Sequence, residues 1–532
     1  MSAATNLAPS PEITEAPGSV PAPPAAEFRS RMGSIGRQSL IYFAGTILTA
    51  AAGYFFRIYL ARTLGAEALG LYALGMSIIG FAGLLTAFGL PMAAARFVSE
   101  YASRREYARL GDFLRCSFAT LLPANLMFGV ALLAVGPWIA KHFYHAPALS
   151  AYFGPLALIM LFGAVNAFLG QIMAGYQDVG RRTLITHFVG TPANILFAVA
   201  LISLGFGLRG YLVAQVASGF LVLILLTILV WKMTPSEARH SGGFGRMERA
   251  VASFSAAAFV LTAVQFVLSQ ADNIVLGLYL SPKQVGIYAV AMALVGFVPV
   301  ALQAVNQIFS PTIAELYATE KYTLLQRLYS TVTRWIIALT LPLALTLIFI
   351  SRPLMTIFGA VFEAGTTVLV IGTLGQLINC AVGSVGYLLL MSGHQKQMVR
   401  IQVVNAVLMI VLSFALVPRI GISGAAVAAA VSVAVTNLWG LIEVYRHLKF
   451  FPYDSSFLNL VAPTLVTSIA LILVRTYWHG AALMFTAAAL IIAYAVFLAT
   501  LMCFGVSEED RRLARAAWDK IAFNSKIGVE LG

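Results

Sequence analysis

The sequence predicts an all-α polytopic membrane protein, a bundle of about fourteen transmembrane helices with little outside the bilayer. Three observations carry that expectation. Hydrophobic residues make up 60% of the 532 and charged residues only 10%, against about 25% charged in a soluble domain. The apolar residues gather into runs of about twenty, the length that crosses a bilayer. The basic residues also alternate between the ends of those runs in a way that sets a topology.

Taken in order, the runs place spans near 38–60, 69–92, 116–136, 151–173, 184–206 and 210–231. A second set lies near 251–280, 284–309, 334–351, 366–391, 398–418, 422–445, 458–476 and 481–505. An even count puts both termini on one side. Loops, tails and boundary residues on that side hold 26 of the 34 Lys and Arg. The other side holds Arg62, Lys141, Arg209, Lys283, Arg352, Arg419 and Arg475, and Arg57 lies within a span. Such a bias orients both termini toward the cytoplasm. The net charge of +13 is therefore a topology signal with some pull on anionic lipid, and not the footprint of a nucleic-acid-binding protein.

Residues 1–34 are rich in Ala, Pro and Ser and read as a disordered cytoplasmic tail. The N-lobe is expected over 35–231, a basic inter-lobe linker over 232–250 and the C-lobe over 251–450. Spans 13 and 14 follow over 451–506, then a cytoplasmic tail over 507–532. Within that tail, Ser507–Phe523 reads as a short helix on the membrane surface or a plain solvated one. Cys116, Cys380 and Cys503 fit neither a metal site nor a disulfide framework. No P-loop pattern is present, and no cofactor is expected.

An internal repeat organises the spans. LGAEALGLYALGMSIIGF at 64–81 matches LSPKQVGIYAVAMALVGF at 280–297 without a gap, at a constant offset of 216. The register pairs Leu64 with Leu280, Gly70 with Gly286, Tyr72 with Tyr288, Met76 with Met292 and Gly80 with Gly296. Further on, Tyr101 meets Tyr317. A second echo pairs GFGLRG at 205–210 with RIGISG at 419–424. Repeats six spans apart run in the same direction, so the two six-helix halves should be related by an axis along the membrane normal. Transporters of that design bind substrate between halves and rock one against the other. Spans 13 and 14 fall outside the repeat.

Three stretches carry a family resemblance: RIYLARTLGAEALGLYAL at 57–74, FGLPMAAARFVSEY at 88–101 and ADNIVLGLYLSPKQVGIYAVA at 271–291. They resemble the polysaccharide transporter (Wzx-like) flippases of the multidrug/oligosaccharidyl-lipid/polysaccharide exporter superfamily. The likeness covers about residues 36–450. It implies two lobes in a V-shaped, MATE-like bundle with alternating access to a central cavity. It also implies an undecaprenyl-pyrophosphate-linked glycan as substrate, a bacterial inner membrane, and polymerase and export proteins as pathway partners.

A lipid-linked sugar has a tail at home in hydrocarbon and a head group that is not, because stranded polar groups are costly there. Its carrier needs a polar groove and a cation for the pyrophosphate. Span 7 offers Ser255, Thr262, Gln265, Ser269 and Asp272 on one helical face. Span 8 offers Gln303, Asn306 and Ser310, and span 1 Thr46, Thr49, Gly53 and Arg57. Gln376 with Asn379 and Gln402 with Asn405 add amide pairs, and His187 and Asn194 lie two turns apart on span 5. Such groups also serve as plain glue between helices.

Arg57 and Asp272 are the ionisable residues inside spans, at nearly equivalent depths in opposite lobes. Arg57 suits bidentate contact with phosphate, or snorkels to the interface. Asp272, with Asn273 beside it, is the expected site of a coupling ion or gate, including a pairing with Arg57 when the outer side closes; a static hydrogen bond is the alternative. Arg96 near the inner end of span 2 and Arg62 near the outer mouth are further head-group candidates, or interface anchors. The expected substrate set is thus Arg57, Arg62, Arg96, Thr49, Gln265, Ser269, Gln303, Asn306, Gln376 and Asn379.

Two other functions compete. A multidrug antiporter of the same superfamily handles cations and tends to carry acidic residues in its first lobe, where this chain has only Arg57 within a span. A membrane polymerase or ligase carries its chemistry on a large outer loop. Here the longest outer loops run near 137–150 and 352–365, and His142 and His145 have no partnering carboxylate within theirs.

Overall fold

A computed structural model describes residues 25–240, 247–477 and 482–504, and every regular element among them is helical. Most of the N-terminal tail, the linker centre and Ser507–Phe523 lie outside the described residues. The N-lobe comprises α1 (Ala25–Ala87), α2 (Leu90–Ser103), α3 (Tyr107–His142), α4 (Phe153–Gly175), α5 (Val179–Ser203) and α6 (Gly207–Met233). The C-lobe comprises α7 (Arg249–Tyr279), α8 (Pro282–Val295), α9 (Val300–Ala318), α10 (Tyr322–Phe349), α11 (Thr366–Val382), α12 (Val385–Met391), α13 (Gln395–Ile420) and α14 (Ile422–Leu448). Two further helices, α15 (Val461–Tyr477) and α16 (Ala482–Phe504), pack on α10.

Twelve helices among the described residues are long and apolar enough to cross a membrane, thirteen with one bent pair. This is a multi-pass membrane protein. The 63-residue α1 would be about 95 Å long if straight, three times the bilayer core. It turns instead at Gly65, where φ is 79° and ψ is 174°, a conformation that glycine adopts without a Cβ penalty. The expectation of fourteen spans counts each arm of α1 as a crossing. The helix begins at Ala25, within the stretch read as tail.

Expected span 8 is bent by 48° between α8 and α9. Pro299 lies in that break and has no N–H to continue the helical ladder. Span 10 breaks between α11 and α12 at Gly383, where φ is 72°.

The lobes meet along a seam whose two ends are both closed. At one end the second arm of α1 (66–87) crosses α8, Gly70 against Pro282 and Gly286 against Ala66. One turn of the chain back, Arg62 Nε donates to the Ile357 carbonyl across the seam at 2.7 Å. Midway, Ser77 Oγ donates to Gln270 Oε1 at 2.8 Å. At the other end Gly89, with φ of 70°, lies against the backbone of Ser255 and Phe259. There Tyr101 donates to Glu248 at 3.2 Å, and Arg109 reaches the same carboxylate at 3.2 Å. The largest apolar cluster runs through the seam, joining Leu74 and Tyr144 of the N-lobe to Leu276 and Tyr288 of the C-lobe.

Candidate functional site

The first arm of α1 turns Thr49, Gly53 and Arg57 to one side, because residues four apart share a helical face. They meet Val290, Ala293 and Leu294 of α8 across the seam, with Phe297 and Phe358 closing the space. The pocket is partly open and about 260 Å³, and Arg57 is its one charged lining residue. Thr49 is also hydrogen-bonded to His187 of α5, Oγ1 to Nδ1, at 2.9 Å.

Beside this pocket lies a larger apolar cavity of about 720 Å³. Tyr54, Leu294 and Phe297 form a wall common to both. The far wall is α10 with Leu339 and Leu343, and α16 with Leu483, Leu490 and Tyr494. Tyr494 is held there by donating to the Leu339 carbonyl at 2.9 Å. Helix α16, outside the repeat and without an expected role, thus supplies a wall of the site.

The structure brings only part of the expected residue set together. Arg57 and Thr49 line the seam pocket. Arg62 is engaged with the Ile357 carbonyl, as a tie between lobes. Arg96 lies over the rings of Phe97 at 5.3 Å and Phe254 at 4.7 Å, a cation–π contact that bridges α2 to α7. Gln265 and Ser269 are exposed on α7, and Ser269 turns its hydroxyl back to the Phe266 carbonyl. Gln303 is exposed on α9. Asn306 and Asn379 line a separate cavity of about 280 Å³ within the C-lobe, together with Gln402 and Asn405. Gln376 accepts from Asn379 Nδ2 at 3.0 Å.

Asp272 is buried inside the C-lobe. Its carboxylate accepts from the Tyr288 hydroxyl at 2.7 Å and from the Asn273 backbone N–H at 2.8 Å. The Asn273 side chain donates to Gln270 at 3.4 Å, the glutamine that also receives Ser77 of the N-lobe. No ion pair joins Arg57 to Asp272 among the described residues. The two lobes differ here. Tyr72, the counterpart of Tyr288, accepts from Gln215 of α6 at 2.8 Å, and the position that the offset of 216 pairs with Asp272 is Phe56.

Two features escaped the sequence reading. Glu248, in the basic linker, ties the lobes through Tyr101 and Arg109. The apolar cavity needs α16 folded against α10, which no spacing within the chain announces.

A family model described as polysaccharide biosynthesis protein matches residues 59–364, more than half of the chain. The chain belongs to this family. That bears out the resemblance carried by the stretches at 57–74, 88–101 and 271–291. Among curated relatives, the chain is 22% identical over 408 residues to the probable low-salt glycan biosynthesis flippase Agl15 of Haloferax volcanii. That alignment covers 76% of this chain and 82% of the relative. Among solved structures, lipid II flippase MurJ in an inward closed conformation superposes with a TM-score of 0.69 at 15% identity, covering 87% of this chain and 98% of MurJ. A MATE-family multidrug transporter of the MOP superfamily, inward-facing, superposes at 0.61 and 15% identity, covering 77% and 98%. These likenesses show a MATE-like helical fold for this family member.

Proposed function

We propose that this protein is an alternating-access flippase for a lipid-linked glycan. It moves an undecaprenyl-pyrophosphate-linked oligosaccharide from the cytoplasmic to the outer leaflet of a bacterial inner membrane, with both termini cytoplasmic. It would hand its product to polymerase and export proteins of the same pathway. The observation that carries this reading is the shared wall. A pocket with one guanidinium adjoins an apolar cavity of about 720 Å³, which matches a ligand with an anionic head and a long hydrocarbon tail. The family and the glycan flippase relative point the same way.

The chemistry is compatible with transport without nucleotide. Pyrophosphate moving outward carries negative charge toward the positive side, favoured by about 2.3 kcal/mol per charge per 100 mV. Arg57 compensates that charge inside the bilayer, where an unpaired ion is expensive. Asp272 with Asn273 is the proposed coupling or gating point, since Asn273 adjoins the Ser77–Gln270 bond across the seam. A cation antiporter would need a free carboxylate in the inter-lobe pocket, and the lining there carries Arg57 instead.

The test is a depletion strain in which lipid-linked oligosaccharide is assayed by leaflet. Loss of the protein should trap the sugar-lipid on the cytoplasmic side. Normal surface polysaccharide without accumulation would sink this reading. Drug-resistance assays in a pump-deficient strain separate it from a multidrug antiporter.

A further inference from the structure

Helix α5 departs from α-helical geometry between Leu184 and Gly190, where the backbone is π-helical. The cause is local. Pro192 has no N–H to offer the Phe188 carbonyl, and in a regular α-helix its ring would clash with that carbonyl. A widened turn absorbs the misfit. The N–H of Thr191 reaches back five residues to Thr186. Gly190 lets the widened turn approach α6, since a Cβ there would lie 2.7 Å from Val222.

His187 stands in the middle of this segment, half-buried. The π turn directs its ring toward the first arm of α1, where Thr49 engages Nδ1. Thr49 lines the same pocket as Arg57. Among the described residues, Nε2 has no hydrogen-bond partner. Arg182, one turn back, lies close enough to act on the ring electrostatically, and its guanidinium is held against Gly170.

We propose that His187 is a second phosphate contact on the N-lobe wall, which takes the head group inward of Arg57, with Thr49 as its positioning residue. The proposal rests on the flippase reading. Thr49 and Arg57 are eight residues apart on one helix, about 12 Å along its axis. A lone fixed guanidinium holds an anion at one depth only. In an alternating-access carrier the head group comes in from the cytoplasmic side before it reaches the site between the lobes, and a contact inward of Arg57 lies on that path. An imidazole N–H is a weaker anchor than a guanidinium and is suited to a transient stop. The ring has a defined aim because Thr49 occupies its other nitrogen.

The test uses the full-length protein in nanodiscs and two probes, farnesyl pyrophosphate and farnesol. His187→Ala should weaken farnesyl pyrophosphate binding by about tenfold and leave farnesol binding unchanged. His187→Gln, whose amide nitrogen reaches the Nε2 position, should recover most of that loss. Thr49→Val should weaken binding less than His187→Ala. If His187→Ala does not fold, His187→Asn decides the matter, because it keeps a partner for Thr49 but falls short of the Nε2 position. Wild-type pyrophosphate affinity from either variant, while Arg57→Ala loses it, overturns the role of His187 and leaves the flippase reading intact. A wild-type protein that binds both probes equally overturns both.

Discussion

Gly70 and Gly286, counterparts in the two halves of the repeat, are pressed into each other's helices at one end of the seam. A Cβ on Gly70 would lie 1.6 Å from the Pro282 carbonyl oxygen, and a Cβ on Gly286 would lie 1.9 Å from that of Ala66. Neither obstacle is a flexible side chain, so the helices themselves would have to part. Small residues at crossings of membrane helices permit this approach.

Gly70→Ala or Gly286→Ala should therefore open this end. Overpacking costs about 1–3 kcal/mol, enough to shift a balanced two-state equilibrium by five- to more than a hundredfold, at roughly 1.4 kcal/mol per decade. Spin labels on Glu67 and Lys283, in a background without the native cysteines, should report a longer distance by electron–electron resonance. An unchanged distance distribution would show that the glycines do not hold this closure.

Arg57 is the pocket's one charged residue. Arg57→Ala should abolish transport of lipid-linked glycan in reconstituted vesicles. Arg57→Lys should retain only part of it, because an ammonium cannot make the paired contacts of a guanidinium. Enlarging Leu490 to Trp would fill the adjoining apolar cavity. That change should reduce transport of long-tailed substrate more than binding of a short-chain pyrophosphate.

Glu248 closes the opposite end. Burial and the Glu248 carboxylate push the Tyr101 hydroxyl up to about 12, so Tyr101 remains a donor throughout the physiological range. Glu248→Ala removes both its bond and the Arg109 contact. The expected result is a modest rise in cysteine-labelling rate at Ser255→Cys. High salt should give a similar change in the wild type, because exposed charges are screened.

Asp272 meets Tyr288 and the Asn273 N–H within one lobe. Asp272→Leu leaves both donors unpaired and should cost about 1–3 kcal/mol of stability for each buried group. Asp272→Asn keeps an acceptor and should fold. If it also leaves transport and its dependence on ion gradients unchanged, the coupling role is wrong.

Asp454 offers a pH test outside the membrane. Burial alone would raise its carboxyl, but bonds from Ser456 and Ser330, the Ser456 N–H and the charge of Arg334 together hold it below the usual carboxylate range. The unfolded chain then binds the proton at higher pH than the folded one. This stabilisation is present above the ordinary carboxylate pKa and fades as pH falls through the lower folded value. Asp454→Asn should lower the melting temperature at pH 7, and the difference from wild type should shrink toward pH 3.

Much of the bundle was legible because membrane crossing is a one-dimensional property. A run of about twenty apolar residues crosses whatever lies next to it, so α4, α6 and α14 fall close to their expected positions, and α3 contains its expected span but extends beyond it at both ends. The repeat was legible because turn glycines recur at a fixed offset. Broken spans were harder to read: Pro299 and Gly383 sit inside apolar runs that hydropathy treats as continuous. The site divided in the same way. A helical period put Thr49 and Arg57 on one face, and they do share a pocket. The same period gave Asp272 a polar stripe, but not the Tyr288 hydroxyl that occupies it.

Sequence alone therefore determined that the chain crosses the membrane many times, that it is built of two like halves, and that one arginine falls inside an apolar run of its first half. Those properties follow from composition, period and offset along a single chain. Only the tertiary structure decided which polar residues face the seam, that Gly70 and Gly286 close one end of it, and that α16 lines the apolar cavity beside Arg57. These depend on which helix packs against which, and hydrocarbon surroundings make every apolar face an equally acceptable neighbour until shape and hydrogen bonds choose between them.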